Sequence, residues 1–94
     1  MSLKFEWSRE KAGSNVQKHG CTFIEGSTAF SDPLSVTIAD PDHSVFENRF
    51  LHLGQTSNGK LVVVAFTERG DRIRLISVRR ASRRERNQYE QKSL

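Results

Sequence analysis

Cysteine is almost absent from this chain of 94 residues, which contains only Cys21. A single cysteine cannot form an internal disulfide, and it cannot supply two thiolates to a metal ion. Nothing in the sequence therefore requires an oxidising compartment, and a metal site built on two cysteines is excluded.

Long apolar runs are also missing. No segment approaches the roughly 20 apolar residues of a membrane-spanning helix, and the N-terminus lacks the basic and then apolar pattern of a signal peptide. The sequence contains no glycine-rich phosphate-binding loop and no recognisable context for a serine or cysteine nucleophile. These absences argue against several enzyme classes, and we expect a cytoplasmic protein.

Positive charge is concentrated in the C-terminal third of the chain. Residues 1–59 contain five Lys and Arg against seven Asp and Glu, whereas residues 60–94 contain ten against four, which together give the net charge of +4. Most of the later cations are Arg, whose planar guanidinium matches the oxygens of a phosphate. This distribution predicts an anion-binding surface, for which nucleic acid is the main candidate, with an ordinary solvated face as the alternative.

Apolar and β-branched runs predict a small sheet. The central hairpin comprises strands at residues 61–67 and 72–78, joined by a turn at Gly70. The short connections between the last four strands predict consecutive antiparallel pairing, and the first strand should lie at an edge with Leu3, Phe5 and Trp7 facing inward. The other predicted strands and turns are residues 3–7, 34–38 and 49–53, an acidic loop at residues 40–44, and an Asn-Gly turn at residues 57–59.

Capping signals predict three helices. Ser8 and Gly20 bound a helix at residues 9–19. Thr22 and Glu25 form a capping box for a second short helix that ends before Asp32-Pro33, and Ser82 and Glu85 form another for a helix at about residues 83–91. The fold is thus predicted to be a single α+β domain, residues 1–94, of order β-α-α-β-β-β-β-α, with all helices on one face of the sheet.

The first helix carries a polar stripe at the edge of the predicted core. Lys11, Asn15 and His19 follow one another at intervals of four residues, and this stripe borders an apolar one made by Ala12 and Val16. Such a position favours a cleft, although an ordinary solvated helix edge is the alternative.

A metal site has little support. His19, His43 and His52 share no standard ligand spacing, and the Asp40-x-Asp42-His43 loop is a weak signal. We therefore expect no cofactor and no metal ion.

The remaining polar residues suit metal-free cleavage of RNA. A base takes the 2′-hydroxyl proton, cations stabilise the phosphorane, and an acid protonates the leaving oxygen. The candidate catalytic residues are Lys11, His19, Arg79, Arg80, Glu85 and Tyr89. The candidate RNA-binding residues are Asn15, Arg72, Arg74, Arg83 and Arg84.

Each catalytic candidate has a structural alternative. His19 lies beside the C-terminal glycine of its helix and can interact with the helix carbonyls. Glu85 can serve only its capping box, and Tyr89 can simply pack its ring on the sheet. Arg79 and Arg80 alternate across their strand, so only one of them is expected to face the cleft.

A set of short segments, spread over nearly the whole chain, has a specific order and spacing. It comprises Lys4-Phe5-Glu6-Trp7, Lys11, Asn15, Lys18-His19-Gly20, Phe23, Phe30, Asp32-Pro33, Arg72 to Ala81, Arg84-Glu85-Arg86 and Tyr89-Glu90. This set resembles the BrnT family of bacterial type II toxins. Two departures are Ser8, where the family usually has Asp, and Val78, where it usually has Ala.

The resemblance implies a RelE-like fold and a ribonuclease that inhibits translation. It also implies a partner, a BrnA-type antitoxin of the ribbon-helix-helix type, which neutralises the toxin and carries the complex to operator DNA. Two other functions stay open, a non-catalytic nucleic-acid-binding module and a structural partner of a regulator.

Overall fold

The computed structural model of the protein describes residues 3–42 and 48–92. The predicted order of elements and the α+β class are confirmed, whereas His43 and Ser44 of the predicted acidic loop lie outside the described residues. In chain order the elements are β1 (Lys4–Glu6), α1 (Arg9–His19), α2 (Phe23–Thr28), a 3₁₀ turn (Ala29–Ser31), β2 (Val36–Ala39), β3 (Arg49–Gln55), β4 (Leu61–Arg69), β5 (Arg72–Arg80) and α3 (Arg83–Lys92).

The predicted helix caps are all present. The Ser8 hydroxyl accepts a hydrogen bond from the Lys11 amide, and Gly20 ends α1 with a positive φ of 68°. In the first capping box the Glu25 amide donates to the Thr22 hydroxyl while the Glu25 carboxylate accepts from the Thr22 amide. Ser82 and Glu85 make the same reciprocal pair at 2.8 and 3.2 Å, so local sequence determines where each helix begins.

The sheet has five strands in the order β1-β5-β4-β3-β2. The four later strands pair antiparallel in sequence, and β1 lies at an edge, as predicted. The pairing of β1 with β5 is parallel, with Phe5 opposite Ile73. This parallel pair was not predictable from sequence, because the two strands are separated by most of the chain.

The main core lies between one face of the sheet and the α1–α2 layer. Val62, Val64 and Phe66 of β4 point into it together with the buried Leu75 and Val78 of β5. The layer above contributes three buried hydrophobic residues to this core, Cys21, Phe23 and Ala29.

The third helix lies over the opposite face of the sheet. Val63 points away from the main core because strand side chains alternate, and it lines a cavity together with Glu85 and Gln88 of α3. The prediction that all helices cover one face is therefore wrong. Since residues 61–64 are apolar at every position and all buried, β4 needs cover on both of its faces.

Two predicted inward residues are exposed. Leu3 is 54% exposed and Val16 is 45% exposed, although Phe5, Trp7 and Ala12 do pack against the core. The strand β1 has only three residues, and the single buried residue of α1 is polar, Asn15. The apolar pattern of α1 is thus too weak to bury Val16.

Candidate functional site

The polar stripe of α1 faces a groove over the sheet. Lys11 and His19 line this groove, of about 300 Å³, together with Arg49 of β3 and Ile76 and Ser77 of β5. Both Lys11 and His19 are exposed. The predicted stripe and the predicted cleft therefore coincide, and we call this feature the α1 groove.

Asn15 lies on the same stripe, but its amide is used within the protein. The side chain is 4% exposed and donates to the Val78 and Cys21 carbonyl oxygens at 2.8 and 2.9 Å, while its own oxygen accepts from the Val78 amide at 3.0 Å. Because β1 pairs only with residues 72–74 of β5, Asn15 satisfies the backbone further along that edge. We therefore assign Asn15 to positioning α1 and not to RNA contact.

Arg49 is a groove residue that was not among the sequence-based candidates. It lines the α1 groove and also an adjoining polar depression that contains Arg69 and Arg74. Arg49 pairs with Thr67, and Thr67 pairs with Arg74, so the three residues form one row across the sheet. The strand register of the β3–β4 and β4–β5 hairpins is the signal that could have identified Arg49, because it places Arg49 in line with Arg74.

Arg72 and Arg74 are balanced by Glu6 of the edge strand. The Glu6 carboxylate lies 3.0 Å from the Arg74 guanidinium and 4.0 Å from that of Arg72. Arg74 is half-buried and faces the polar depression, whereas Arg72 is exposed. The pairing lowers the net positive charge that these two predicted RNA-binding residues present.

Arg79 and Arg80 point to opposite faces of the sheet. Arg79 alternates with the core residue Val78 and so shares a face with Ser77 and the α1 groove. Arg80 lies on the α2 side, where its charge and that of Lys60 oppose the rise in the pKa of Cys21 that burial causes. The structure thus separates the two predicted catalytic arginines and leaves Arg79 on the groove side.

Glu85 is fully occupied by Arg79 and by its helix cap. Its two carboxylate oxygens accept from the Arg79 guanidinium at 2.8 and 2.9 Å. The hydrogen bonds from Arg79, followed by the one from Ser82, lower the pKa of Glu85 to about 2. Such a carboxylate stays ionised near neutral pH and is poorly suited to proton transfer. We therefore assign Glu85 to positioning Arg79.

Tyr89 is buried and anchors the last turns of α3. Its hydroxyl donates to the Asp32 carboxylate at 2.5 Å, and Asp32 also accepts from the Gln55 and Leu34 amides. Burial, and then the hydrogen bond to Asp32, raise the pKa of Tyr89 to about 12. The phenol stays protonated, and this proton is directed to Asp32 and away from any substrate.

The outer surface of α3 is cationic. Arg83, Arg84 and Arg86 are exposed, and none of them pairs with a carboxylate among the residues that the structure describes. The two that were predicted to bind RNA, Arg83 and Arg84, are therefore sterically available to an anionic ligand.

The metal-ligand candidates that the structure describes do not form a cluster. Within residues 3–42 and 48–92, no three His, Cys, Asp or Glu side chains lie close enough together to hold a metal ion. His52 is buried with both ring nitrogens engaged, one with the Thr37 hydroxyl at 2.7 Å and the other with the Ala29 carbonyl at 3.0 Å. Asp40 accepts from the Asp42 amide, and His43 lies outside the described residues.

Membrane insertion through a helix is not indicated for this part of the chain. Across the described residues, α1, α2 and α3 are too short and too polar to cross a membrane.

Comparison with known proteins gives matches of two kinds. Residues 7–85 match the sequence model of a family described as the ribonuclease toxin, BrnT, of type II toxin-antitoxin systems. The fold is similar to that in the crystal structure of the Brucella abortus ribonuclease toxin, BrnT, with a TM-score of 0.64 and 24% identity over 87% of this chain and all of the other. Among curated proteins, no match is found. The family match spans most of the sequence and agrees with the segments that resemble BrnT, so the chain belongs to the BrnT family of ribonuclease toxins of type II toxin–antitoxin systems.

Proposed function

We propose that this protein is a cytoplasmic endoribonuclease that cleaves RNA without a metal ion, in the α1 groove, and thereby inhibits translation. The observation that supports the proposal most is the convergence of an exposed imidazole, His19, with the cations Lys11 and Arg49 in one groove. These are the groups that phosphodiester transfer to a 2′-hydroxyl requires, namely a proton carrier and positive charge at the phosphate.

Each groove residue has a distinct proposed role. His19 carries the proton that the attacking 2′-hydroxyl loses and the leaving 5′-oxygen gains, because an imidazole nitrogen can both accept and donate a proton. Lys11 and Arg49 bind the phosphate and stabilise the charge that develops on it. The groove is polar and open, so a single-stranded RNA can enter with its backbone along the cations.

Arg79 is proposed to extend this cationic surface. It lies two residues beyond Ser77 on the same face of β5, which corresponds to about 7 Å along a strand, and Ser77 lines the groove. The bidentate pair with Glu85 fixes the direction of the guanidinium. Arg79 is therefore placed to contact the phosphate next to the scissile one.

Neutralisation is proposed to come from a cognate antitoxin. A type II toxin family implies an antitoxin partner, and we propose a BrnA-type, ribbon-helix-helix protein that also carries the complex to operator DNA. The cationic outer surface of α3 and Arg79 favour an acidic antitoxin segment that covers this side of the molecule.

Cleavage of RNA by purified variants tests the site. We expect Lys11→Ala, His19→Ala and Arg79→Ala each to lower the cleavage rate by a factor of about 10² or more, because each removes a positioned cation or proton carrier. Arg80→Ala is the matched control, since it removes the same side chain from the opposite face of the strand, and it should retain activity. Circular dichroism verifies folding, and EDTA should leave the rate unchanged.

Three results would contradict the proposal. Wild-type rates in well-folded Lys11→Ala, His19→Ala and Arg79→Ala would place the chemistry outside the α1 groove. Loss of cleavage in EDTA would establish a metal requirement. RNA that is bound and never cut would favour a non-catalytic RNA-binding module.

A further inference from the structure

An apolar cavity of about 220 Å³ lies between α3 and the outer half of the sheet. Its floor is formed by Ile38, Leu51, Leu53 and Val63 from three neighbouring strands, and Gln88 of α3 contributes to its wall. Ile38 is 54% exposed although it is a large apolar side chain. An exposed apolar side chain beside an apolar cavity offers surface that a protein partner can bury.

The cavity is unsuited to RNA or to a small molecule. Among the described residues that line it, Glu85 alone is charged, and its carboxylate repels phosphate, whereas the α1 groove has the cations that a backbone needs. Its volume is also below the roughly 300–1,000 Å³ of ordinary ligand pockets. Its size and lining favour one or two apolar side chains from a protein partner.

One side of the cavity adjoins an arginine of α3. Arg84 precedes Gln88 by four residues and therefore lies on the same side of α3, and both side chains are exposed. Arg83 and Arg86 project from other sides of the helix, so Arg84 is the cation of α3 nearest to the cavity. An apolar floor with an arginine at one side is complementary to an amphipathic segment that carries acidic residues.

We propose that this cavity is where the antitoxin docks, through an acidic amphipathic segment. Its apolar side chains fill the space beside Ile38 and Leu53, and its carboxylates lie against Arg84. This inference rests on the proposed neutralisation of the toxin by an antitoxin, and it specifies the surface involved.

The location gives a reason for neutralisation. Glu85 lines the cavity and holds Arg79, and Arg79 shares its sheet face with the α1 groove. A segment docked here lies directly beside Arg79 and extends along the face that RNA must approach. Docking and RNA binding then become mutually exclusive.

A matched pair of variants tests the surface. Ile38→Glu introduces a charge at the cavity, and Ile24→Glu makes the same change at another exposed isoleucine, 69% exposed on α2. With the purified protein encoded by the gene next to this one as ligand, calorimetric titration should show at least tenfold weaker binding for Ile38→Glu and unchanged binding for Ile24→Glu. Both variants, when free, should cleave RNA like the wild type, since neither lies in the α1 groove.

Other outcomes would overturn the proposal in distinguishable ways. Binding lost in Ile24→Glu and retained in Ile38→Glu would move the docking surface to the α1–α2 side. If the wild-type protein does not bind this ligand, both the proposed antitoxin and the proposed docking site are refuted. A wild-type protein that binds the ligand and cuts no RNA would leave the docking surface intact and refute the catalytic function alone.

Discussion

Asn15 shows how one side chain can set the position of a whole helix. Its amide makes three hydrogen bonds to the backbone of Val78 and Cys21, all of them buried. The bonds to Val78 satisfy backbone groups of β5 at a position past the segment that pairs with β1. Because Lys11 and His19 are on the same helix, the geometry of the α1 groove depends on this buried residue.

On this stripe of α1, Asn15 is expected to affect stability and Lys11 to affect RNA cleavage. Asn15→Ala leaves two carbonyls and an amide without partners, which should lower the free energy of unfolding by about 2–4 kcal/mol. Lys11→Ala, four residues earlier and exposed, should change it by less than about 0.5 kcal/mol and should instead reduce RNA cleavage. Urea unfolding of both variants measures the difference. An Asn15→Ala protein that is fully stable and binds RNA weakly would return Asn15 to the RNA contacts.

At the scale of elements, α3 is attached by a polar contact at each end. The Arg79–Glu85 pair holds its first turn, and the Tyr89–Asp32 hydrogen bond holds its later part. Between these anchors lies the apolar cavity. A helix attached in this way is well placed to present its cationic outer surface, since its position does not depend on a wide apolar stripe.

The Arg79–Glu85 anchor makes stability depend on acid pH. The pKa of Glu85 falls to about 2 in the folded protein, below its ordinary value of 4.5, so the stabilisation is complete above pH 4.5 and disappears as the pH falls towards 2. Glu85→Gln should lower the free energy of unfolding at pH 7 by roughly 1–2 kcal/mol, a figure reduced because the Arg79 side chain is 40% exposed.

The acid dependence supplies the measurement. Urea unfolding between pH 5 and pH 2.5 should show a steeper loss of stability for the wild type than for Glu85→Gln. Glu90→Gln removes an exposed carboxylate from the same helix and is the control, with wild-type behaviour expected. If Glu85→Gln and the wild type gave identical slopes, solvent would be screening the pair and α3 would depend on Tyr89.

The helices differ in how far sequence could predict them. Each start was predictable because the caps use residues within one turn of each other, as in Thr22–Glu25 and Ser82–Glu85. The side of the sheet that α3 covers was not predictable, since its only buried residue is Tyr89 among the described side chains. Its location depends on Arg79 and Asp32, whose directions are set by strand register and by a distant turn.

The candidate site was likewise only partly predictable from the sequence. Helical periodicity was enough to align Lys11 and His19, but it could not show that Asn15 between them faces a strand edge. Strand alternation showed that Arg79 and Arg80 diverge, but choosing between them required the bulge after Ala65 and the pairing of β4 with β5. Arg49 was missed because its importance comes from the row that it shares with Thr67 and Arg74.

At the scale of the whole molecule, positive charge is concentrated on two separate surfaces. The sheet face beside α1 carries Lys11, Arg49 and Arg74 around polar depressions, and the outer surface of α3 carries a second set of arginines. The net charge of +4 is thus less informative than its two locations. RNA and an acidic antitoxin both require cations, and the apolar cavity beside α3 distinguishes the surface that suits a protein.

RNA binding should reveal which of these surfaces the RNA covers through its dependence on salt. Each phosphate contact releases counterions and contributes about 0.7 to the slope of log affinity against log salt for a single strand. In the cleavage-deficient His19→Ala background, adding Lys11→Ala or Arg49→Ala should reduce the slope by about one such contact. Arg83→Ala with Arg84→Ala should reduce the slope further if RNA extends over α3.

Fluorescence anisotropy at several KCl concentrations gives the slopes. Lys4→Ala is the control and should leave the slope unchanged, because the Lys4 ammonium is already paired with Asp71 at 3.3 Å. An affinity independent of salt would mean that these cations only solvate the surface, because no phosphate contact is then being made.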